Sequence, residues 1–282
     1  MKTTIIGLGL IGGSIAIDLR KRGFTNYIIG VDNNIEHGRL ALQHKLVDEI
    51  LPLENAIECS ELIIIATPVD AILTLLPKIL YKVKNQVVTD IGSTKEKIVE
   101  LIRHHPNRKN FVAGHPMAGT EKSGPLSAIS GLFDNKCMIL CDIEDSDAKA
   151  VATVKKMYDV LKMNILILPA RTHDIHAAYV SHISHVSSYA LALTVMDIEK
   201  DEKKIFNLAS GGFESTVRLA KSPASMWTPI FLQNNENVIT ALNNYIDKLN
   251  ELKIFIKEKR DKELFEMINK SNQIKKTLEK PL

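Results

Sequence analysis

The sequence predicts an α/β protein, with a sheet domain first and an all-helical domain second. Three observations carry this. Short runs rich in Ile and Val, "TTIIGLG", "NYIIGVD", "LIIIAT" and "QVVTDIG", alternate with amphipathic segments such as "GSIAIDLRKRG", the rhythm of a parallel sheet with crossover helices. A glycine-rich turn, "GLGLIGGS", closes the first run. After Pro169 the alternation stops and long helical periodicity takes over.

Taken in order, the four runs are followed by "NFVAGHP", "CMILCD" and "MNILILPA", three further strands, with "DAKAVATVKKMYDVLK" as the helix between the last two. Long helices are then expected over "HDIHAAYVSHISHVSSYALALTVMD" and "SPASMWTPIFLQNNENVITALNNYIDKLNELKIFIKEK". The boundary falls near Ala170, which gives a domain of residues 1–170 and a helical one of residues 171–282. Ile230, Val238, Leu242, Ile246, Leu249 and Leu252 to Ile256 recur at three- and four-residue spacing. Such stripes either close on each other or form a seam with a second copy, so a homodimer through the helical domain is expected.

Composition excludes several classes. At 282 residues the chain is long enough for two domains and a cleft, and its 24% charged and 45% apolar content is that of a globular protein. The net charge of +3 is concentrated in "KEKRDKELFEMINKSNQIKKTLEKP", where acidic and basic residues interleave as in a solvated helix and a frayed tail. Neither a basic patch with aromatic platforms nor a reading module is visible, so no nucleic acid is expected. No signal sequence opens the chain, and no apolar run approaches the ~20 residues that span a bilayer. Cys59, Cys137 and Cys141 leave one thiol over under any pairing, and the last two sit in a strand-like "CMILC" as small hydrophobes. A reducing cytoplasmic location follows as the expectation.

"GLGLIGGS" places Gly7, Gly9 and Gly12 in the G-x-G-x-x-G spacing between a strand and a helix. Gly7 permits the tight turn, Gly9 lets a pyrophosphate approach, and Gly12 permits close helix packing, with the amides near Leu10 and Ile11 facing the phosphates. Asp32 ends the next strand, 20 residues beyond Gly12, where it accepts from ribose hydroxyls and repels a 2'-phosphate. Arg39 lies too far down the following helix to rescue a phosphate. The first domain is therefore expected to be Rossmann-type and to take NAD rather than NADP. "ATPVD" places Thr67 and Pro68 where the dinucleotide passes, or simply where a helix starts.

The reaction end is signalled by "GHPMAGTEKSG". His115 follows a strand at the carboxyl side of the sheet, where open α/β sheets place ligands. Ser93 follows another strand end; it either forms a capping box with Glu96 or meets His115 and holds its ring ready to accept a proton. In "THDIHAAYVSHISH", His173 with His176 and His182 with His185 share helical faces. No accompanying carboxylate and cysteine pattern selects a metal, and none is expected. His185 is the better candidate for contact with a polar substrate, whereas His173 reads as part of a surface helix start. Arg218 lies among Gly, Ser and Thr, and its planar fork suits a carboxylate. Trp227 reads as core.

With these motifs in order, "GLGLIGGS", "DIGSTK", "GHPMAGTEKSG", "HDIHAAYVSHISH", "GFESTVRLA" and "PASMW", the chain resembles the prephenate/arogenate dehydrogenase family over essentially its whole length. The resemblance implies that His115 contacts the ring hydroxyl of prephenate, that Ser93 is its hydroxyl partner, and that His185 lines the pocket. It also implies that Arg218 binds a substrate carboxylate with Trp227 nearby. The implied reaction is oxidative decarboxylation of prephenate with NAD to 4-hydroxyphenylpyruvate, carbon dioxide and NADH, on the route to tyrosine. Three positions in two motifs depart from the family pattern: Ser184 replaces a proline, and Glu214 and Ser215 replace a basic and an acidic residue. Arogenate dehydrogenase or a dual-specificity cyclohexadienyl dehydrogenase is the near alternative. A β-hydroxyacid dehydrogenase needs a catalytic lysine that Lys221 does not convincingly supply. A non-catalytic NAD-binding protein leaves the histidine loop without a purpose.

Overall fold

The computed structural model describes residues 1–201 and 204–278. Eight strands form one sheet in the order β3-β2-β1-β4-β5-β6-β7-β8. They are β1 (Lys2–Ile6), β2 (Tyr27–Val31), β3 (Glu49–Ile50), β4 (Leu62–Ile65), β5 (Val87–Asp90), β6 (Phe111–Pro116), β7 (Cys137–Cys141) and β8 (Asn164–Leu168). All seven strands expected from the apolar runs are present. The two-residue β3, too short to leave a periodic signal, is the addition.

The helices of the sheet domain are α1 (Leu10–Lys21), α2 (Ile35–Gln43), α3 (Leu53–Cys59), α4 (Val69–Lys82), α5 (Glu96–Ile102) and α6 (Ala148–Val160). They cover both faces. Ile5, Ile15, Leu19, Ile28, Val154 and Tyr158 form one buried cluster, while Ile6, Ile63, Ile72, Leu76 and Ile98 form another. A strand such as β4, buried at every residue, has to be apolar throughout. Full burial of each such Ile or Leu contributes about 1.5–3 kcal/mol, which is why the central strands carry no polar alternation.

The sheet is not wholly parallel. β7 runs antiparallel to β6, with His115 opposite Ile139, and β8 is parallel to β7. The cause lies in the connection: between β6 and β7 the chain has only the short 3-10 turn Pro125–Ser127 and no crossover helix, so nothing carries it back to the starting end of the sheet. The β6–β7 loop is thereby left at the carboxyl edge of the sheet, beside α1. Ile129 N donates to Ser14 Oγ at 3.0 Å, and Ala128 lies against Gly13.

β8 ends at Leu168 and α7 (Ala170–Ala177) starts directly after Pro169. A five-residue π-helical turn, Ala178–His182, joins α7 to α8 (Ile183–Asp201). The long histidine helix is therefore real but interrupted. Then follow α9 (Gly211–Val217), a 3-10 turn over Arg218–Lys221, α10 (Ala224–Gln233), α11 (Asn235–Lys257), α12 (Asp261–Ser271) and α13 (Ile274–Leu278). The expected helix over residues 222–259 is thus broken at Asn234, and the final residues of the expected tail, 279–282, lie outside the described residues. Val238 and Ala241 are buried, but Ile246, Leu249, Ile254 and Ile256 further along α11 are exposed in the single chain.

Candidate active site

Sterics build the nucleotide turn. Gly7 has φ +95°, and a Cβ there would lie 2.5 Å from the Ala66 carbonyl oxygen. At Gly12 a Cβ would lie 2.0 Å from the Gly7 carbonyl oxygen. Gly9 is different, since a Cβ there would meet nothing within 4 Å. Its glycine relieves no clash and instead leaves the helix start accessible. Gly9 is the N-cap of α1, with no side-chain cap and no acidic residue in the first turn, so the amides around Leu10 and Ile11 have no side-chain acceptor. Asp32, just past β2, accepts from Leu8 N at 2.8 Å and from Asn34 N at 2.9 Å, which fixes its carboxylate beside the turn. Arg39 is exposed on α2, hydrogen-bonded to Glu36 at 2.8 and 2.6 Å and to Gln43 at 3.0 Å. Thr67 Oγ1 is buried without a partner among the described residues, and Pro68 is the N-cap of α4. These residues fit a dinucleotide with an unphosphorylated ribose.

His115, near the end of β6, is buried, and its Nδ1 lies 2.8 Å from His173 Nε2. The other ring nitrogen of His173 lies 2.8 Å from Asp174 Oδ1. With Asp174 as a carboxylate and one proton on each ring, this order assigns the tautomers. An ionised carboxylate only accepts, so His173 Nδ1–H donates to Asp174, His173 Nε2 accepts, and His115 Nδ1–H donates to it. The lone pair of His115 is therefore at Nε2. Asp174 also accepts from Lys95 N at 2.8 Å and Glu96 N at 2.9 Å, capping α5 from another part of the chain.

Two expectations are corrected here. His173 is not at a surface: it is fully buried, because α7 lays its first turn over the sheet end and Asp174 is drawn onto the start of α5. His176, which was paired with it by spacing, is exposed. The Ser93–Glu96 capping box does not form, because α5 begins at Glu96 with Lys95 in the N-cap position, and the carboxylate of Asp174 is a stronger acceptor than a hydroxyl. Ser93 is half-buried in the segment between β5 and α5, and the hydrogen-bond partner of His115 Nδ1 is His173.

His182 and His185 extend the cluster. His182 is buried; its Nδ1 accepts from Asn234 Nδ2 at 3.2 Å, and the same amide donates to the Asp174 carbonyl at 2.7 Å. His185 Nδ1–H donates to the Ser181 carbonyl at 3.0 Å, and the ring stacks on Trp227 with centroids 3.4 Å apart. Trp227 is buried as expected, and its Nε1 has no partner among the described residues. Burial, followed by the neighbouring His173, Lys95 and His182, holds His115 well below the usual histidine range. Burial likewise pushes His182 down to about 4 and lowers His185, with Arg218 adding to the latter.

A pH dependence of stability follows from these depressed histidines. They stay neutral in the native state down to acidic pH, whereas in the unfolded chain they protonate near 6.5. The unfolded state therefore binds more protons between pH 6.5 and about 4, and stability falls as pH drops through that window. His182 alone implies a loss on the order of 2 kcal/mol from pH 7 to pH 5. Denaturant unfolding at the two pH values measures it; equal stabilities would contradict the burial of neutral histidines.

Arg218 is on the 3-10 turn after α9 with its side chain 54% exposed, and its guanidinium lies 3.5 Å from Glu121. The "TEKSG" half of the histidine loop thus reaches across to the helical segment. Lys221 pairs with the departing residue Glu214 at 3.6 Å on the surface. No group of three or more His, Cys, Asp or Glu side chains gathers as a metal site among the described residues. Sequence reasoning missed Asp174 and Asn234, and it gave His173 and His182 only as members of helix-face pairs. The adjacent His-Asp pair in "THDIH" was the one local signal, since a carboxylate beside an imidazole suggests an oriented ring.

The family described as prephenate dehydrogenase, nucleotide-binding domain, matches residues 15–167, and prephenate dehydrogenase, dimerization domain, matches residues 169–270. The chain belongs to the prephenate dehydrogenase family. Its sequence is 31% identical to the prephenate dehydrogenase of Bacillus subtilis over 94% of this chain and 73% of that protein. Among solved structures, it is similar to the prephenate dehydrogenase of Aquifex aeolicus in complex with hydroxyphenyl propionate and NAD+, with TM-score 0.90 and 31% identity over 99% of this chain and 98% of that one. It is also similar to Synechocystis arogenate dehydrogenase, with TM-score 0.76 and 28% identity over 99% and 100% of the two chains. Family membership and the fold thus agree with the resemblance carried by the histidine and glycine motifs.

Proposed function

We propose that the chain is an NAD-dependent prephenate dehydrogenase, forming 4-hydroxyphenylpyruvate, carbon dioxide and NADH in tyrosine biosynthesis. The observation that carries the reading is the His115–His173–Asp174 series at the carboxyl edge of a sheet with an accessible glycine turn, an order that leaves Nε2 as the basic nitrogen of His115 when each ring carries one proton. Bound NAD supplies the hydride acceptor. His115 Nε2 takes the hydroxyl proton as the carbinol C–H bond gives up hydride, and returns it to the ring oxygen once the carboxylate has left as carbon dioxide. Aromatisation drives the loss. Ser93 is the proposed hydroxyl partner on the Nε2 side, and His185 and Trp227 line the ring pocket.

Arg218 is the proposed anchor of the side-chain carboxylate. Its contact with Glu121 is largely exposed and contributes at most about 1 kcal/mol, so a substrate carboxylate can replace it. Arg218→Ala is expected to raise KM for prephenate about 10- to 100-fold with a smaller change in kcat, the signature of lost binding common to ground and transition states. Steady-state kinetics measures this, and an unchanged KM would remove Arg218 from the site.

Gly7, Gly9, Leu10, Ile11, Gly12, Asp32, Thr67 and Pro68 are the proposed NAD contacts. The two segments divide as residues 1–170 for the dinucleotide and 171–282 for substrate and dimerisation. The exposed apolar face of α11 supports a homodimer through the helical domain, and three free thiols suit the cytoplasm. The deciding assay offers prephenate and arogenate separately with NAD or NADP and follows the reduced cofactor. NADH from prephenate is expected; turnover confined to arogenate, or rapid use of NADP, would overturn the substrate or the Asp32 assignment respectively.

A further inference from the structure

The buried pair Lys95 and Asp90 is not used by the steps above. Both side chains are completely inaccessible, and the Lys95 ammonium contacts the Asp90 carboxylate directly. Stability does not explain such a pair, because two charges removed from water are often no more stable than an apolar pair of the same shape. Their contacts point elsewhere. Asp90 accepts from Gly92 N at 2.8 Å and from Gly114 N at 3.2 Å, and Gly114 immediately precedes His115. The backbone there is tightly confined: a Cβ on Gly114 would lie 2.4 Å from the Met138 methyl carbon and 3.1 Å from the Asp90 carbonyl oxygen. By a second route, Lys95 N donates to Asp174 Oδ1, the oxygen that also accepts from His173, whose ring orients His115.

We propose that Lys95 is a positioning residue of the reaction, joining the backbone support of His115, through Asp90 and Gly114, to its side-chain support, through Asp174 and His173. The inference rests on the proposed role of His115 as proton acceptor. The charged and titratable groups facing His115 are Asp90 and Lys95 from the β5–α5 segment, His173 and Asp174 from α7, and His182 from the π turn. Within this set the Lys95 side chain contacts the Asp90 carboxylate, and the Lys95 backbone amide donates to Asp174. Without it, the carboxylates favour the imidazolium, and the proton affinity of His115 rises as its support loosens.

Lys95→Met tests this by similar length without charge. The expected result is a kcat at least about tenfold lower, a KM for prephenate within about threefold, and an acid limb of the pH–rate profile about one unit higher. An unmoved limb with kcat within twofold, or a raised KM at unchanged kcat, overturns the proposal. Asp90→Asn combined with Lys95→Met removes both members of the contacting pair, and so covers the case in which the single variant does not fold. Turnover is expected to stay low; recovery to the wild-type rate would reduce Lys95 to a counter-charge and overturn it. Histidine-ring NMR titration reads the His115 midpoint without turnover. A wild type inactive on prephenate sinks the proposed reaction, whereas an unshifted midpoint in the variant sinks only the role of Lys95.

Discussion

His115→Asn is expected to lower kcat by about 10² to 10⁴, equivalent to roughly 2.7–5.5 kcal/mol of transition-state stabilisation. Asparagine fills most of the space and keeps a donor for His173, but it has no lone-pair nitrogen to take a proton. NAD affinity should stay within about twofold, because the glycine turn lies after β1 and receives none of its hydrogen bonds from His115. Stopped-flow NADH formation and calorimetric NAD binding separate the two effects. Turnover within tenfold of wild type would show that the hydroxyl proton leaves by another route. The pH profile adds an independent check, since burial keeps His115 unprotonated well below pH 6.5 and the wild-type rate should already be near its plateau at neutrality.

The parts of this arrangement legible in sequence are those with a local cause. The glycine turn is dictated by contacts at Gly7 and Gly12 within one strand–helix unit, and Asp32 sits at the end of the next strand, so spacing alone located both. Strands such as β4 announce themselves because burial on two faces forces an apolar run. Direction is a different matter: the residues of β7 are as apolar as those of a parallel strand, and only the absence of a helix between Pro116 and Cys137 showed that it turns back. Least legible was the support of His115. A His-Asp pair at a helix start has the same local pattern whether it faces water or a sheet end, and its partners lie 58 residues away for His115 and 79 for Lys95. Ser93, near a strand end, was read either as a helix cap or as a partner of His115, whereas the contact at His115 Nδ1 comes from a helix start that the sequence placed at the surface.

Asp174 joins the fold and the chemistry most closely, and two substitutions distinguish its roles. Asp174→Ala removes the acceptor for two amides at the start of α5 and for His173, so a loss on the order of 2–4 kcal/mol is expected from the cap and the unpaired buried donor together. Turnover should fall by about 10² or more, because His173 is then free to take the other tautomer and compete with His115 for its proton. Asp174→Asn keeps one oxygen acceptor on Glu96 N, but its amide nitrogen then replaces the oxygen that Lys95 N and His173 share, so a loss of about 1–3 kcal/mol is expected from the unpaired Lys95 amide. The amide nitrogen then faces His173 as a donor, and the imidazole has to offer it a lone pair. His173 consequently presents N–H rather than a lone pair toward His115, which turns its own Nδ1 lone pair inward and its proton to Nε2. The variant should fold and bind NAD yet lack the base. If Asp174→Asn is both stable and fully active, the carboxylate serves only as a helix cap, and the tautomer assignment built on it is wrong.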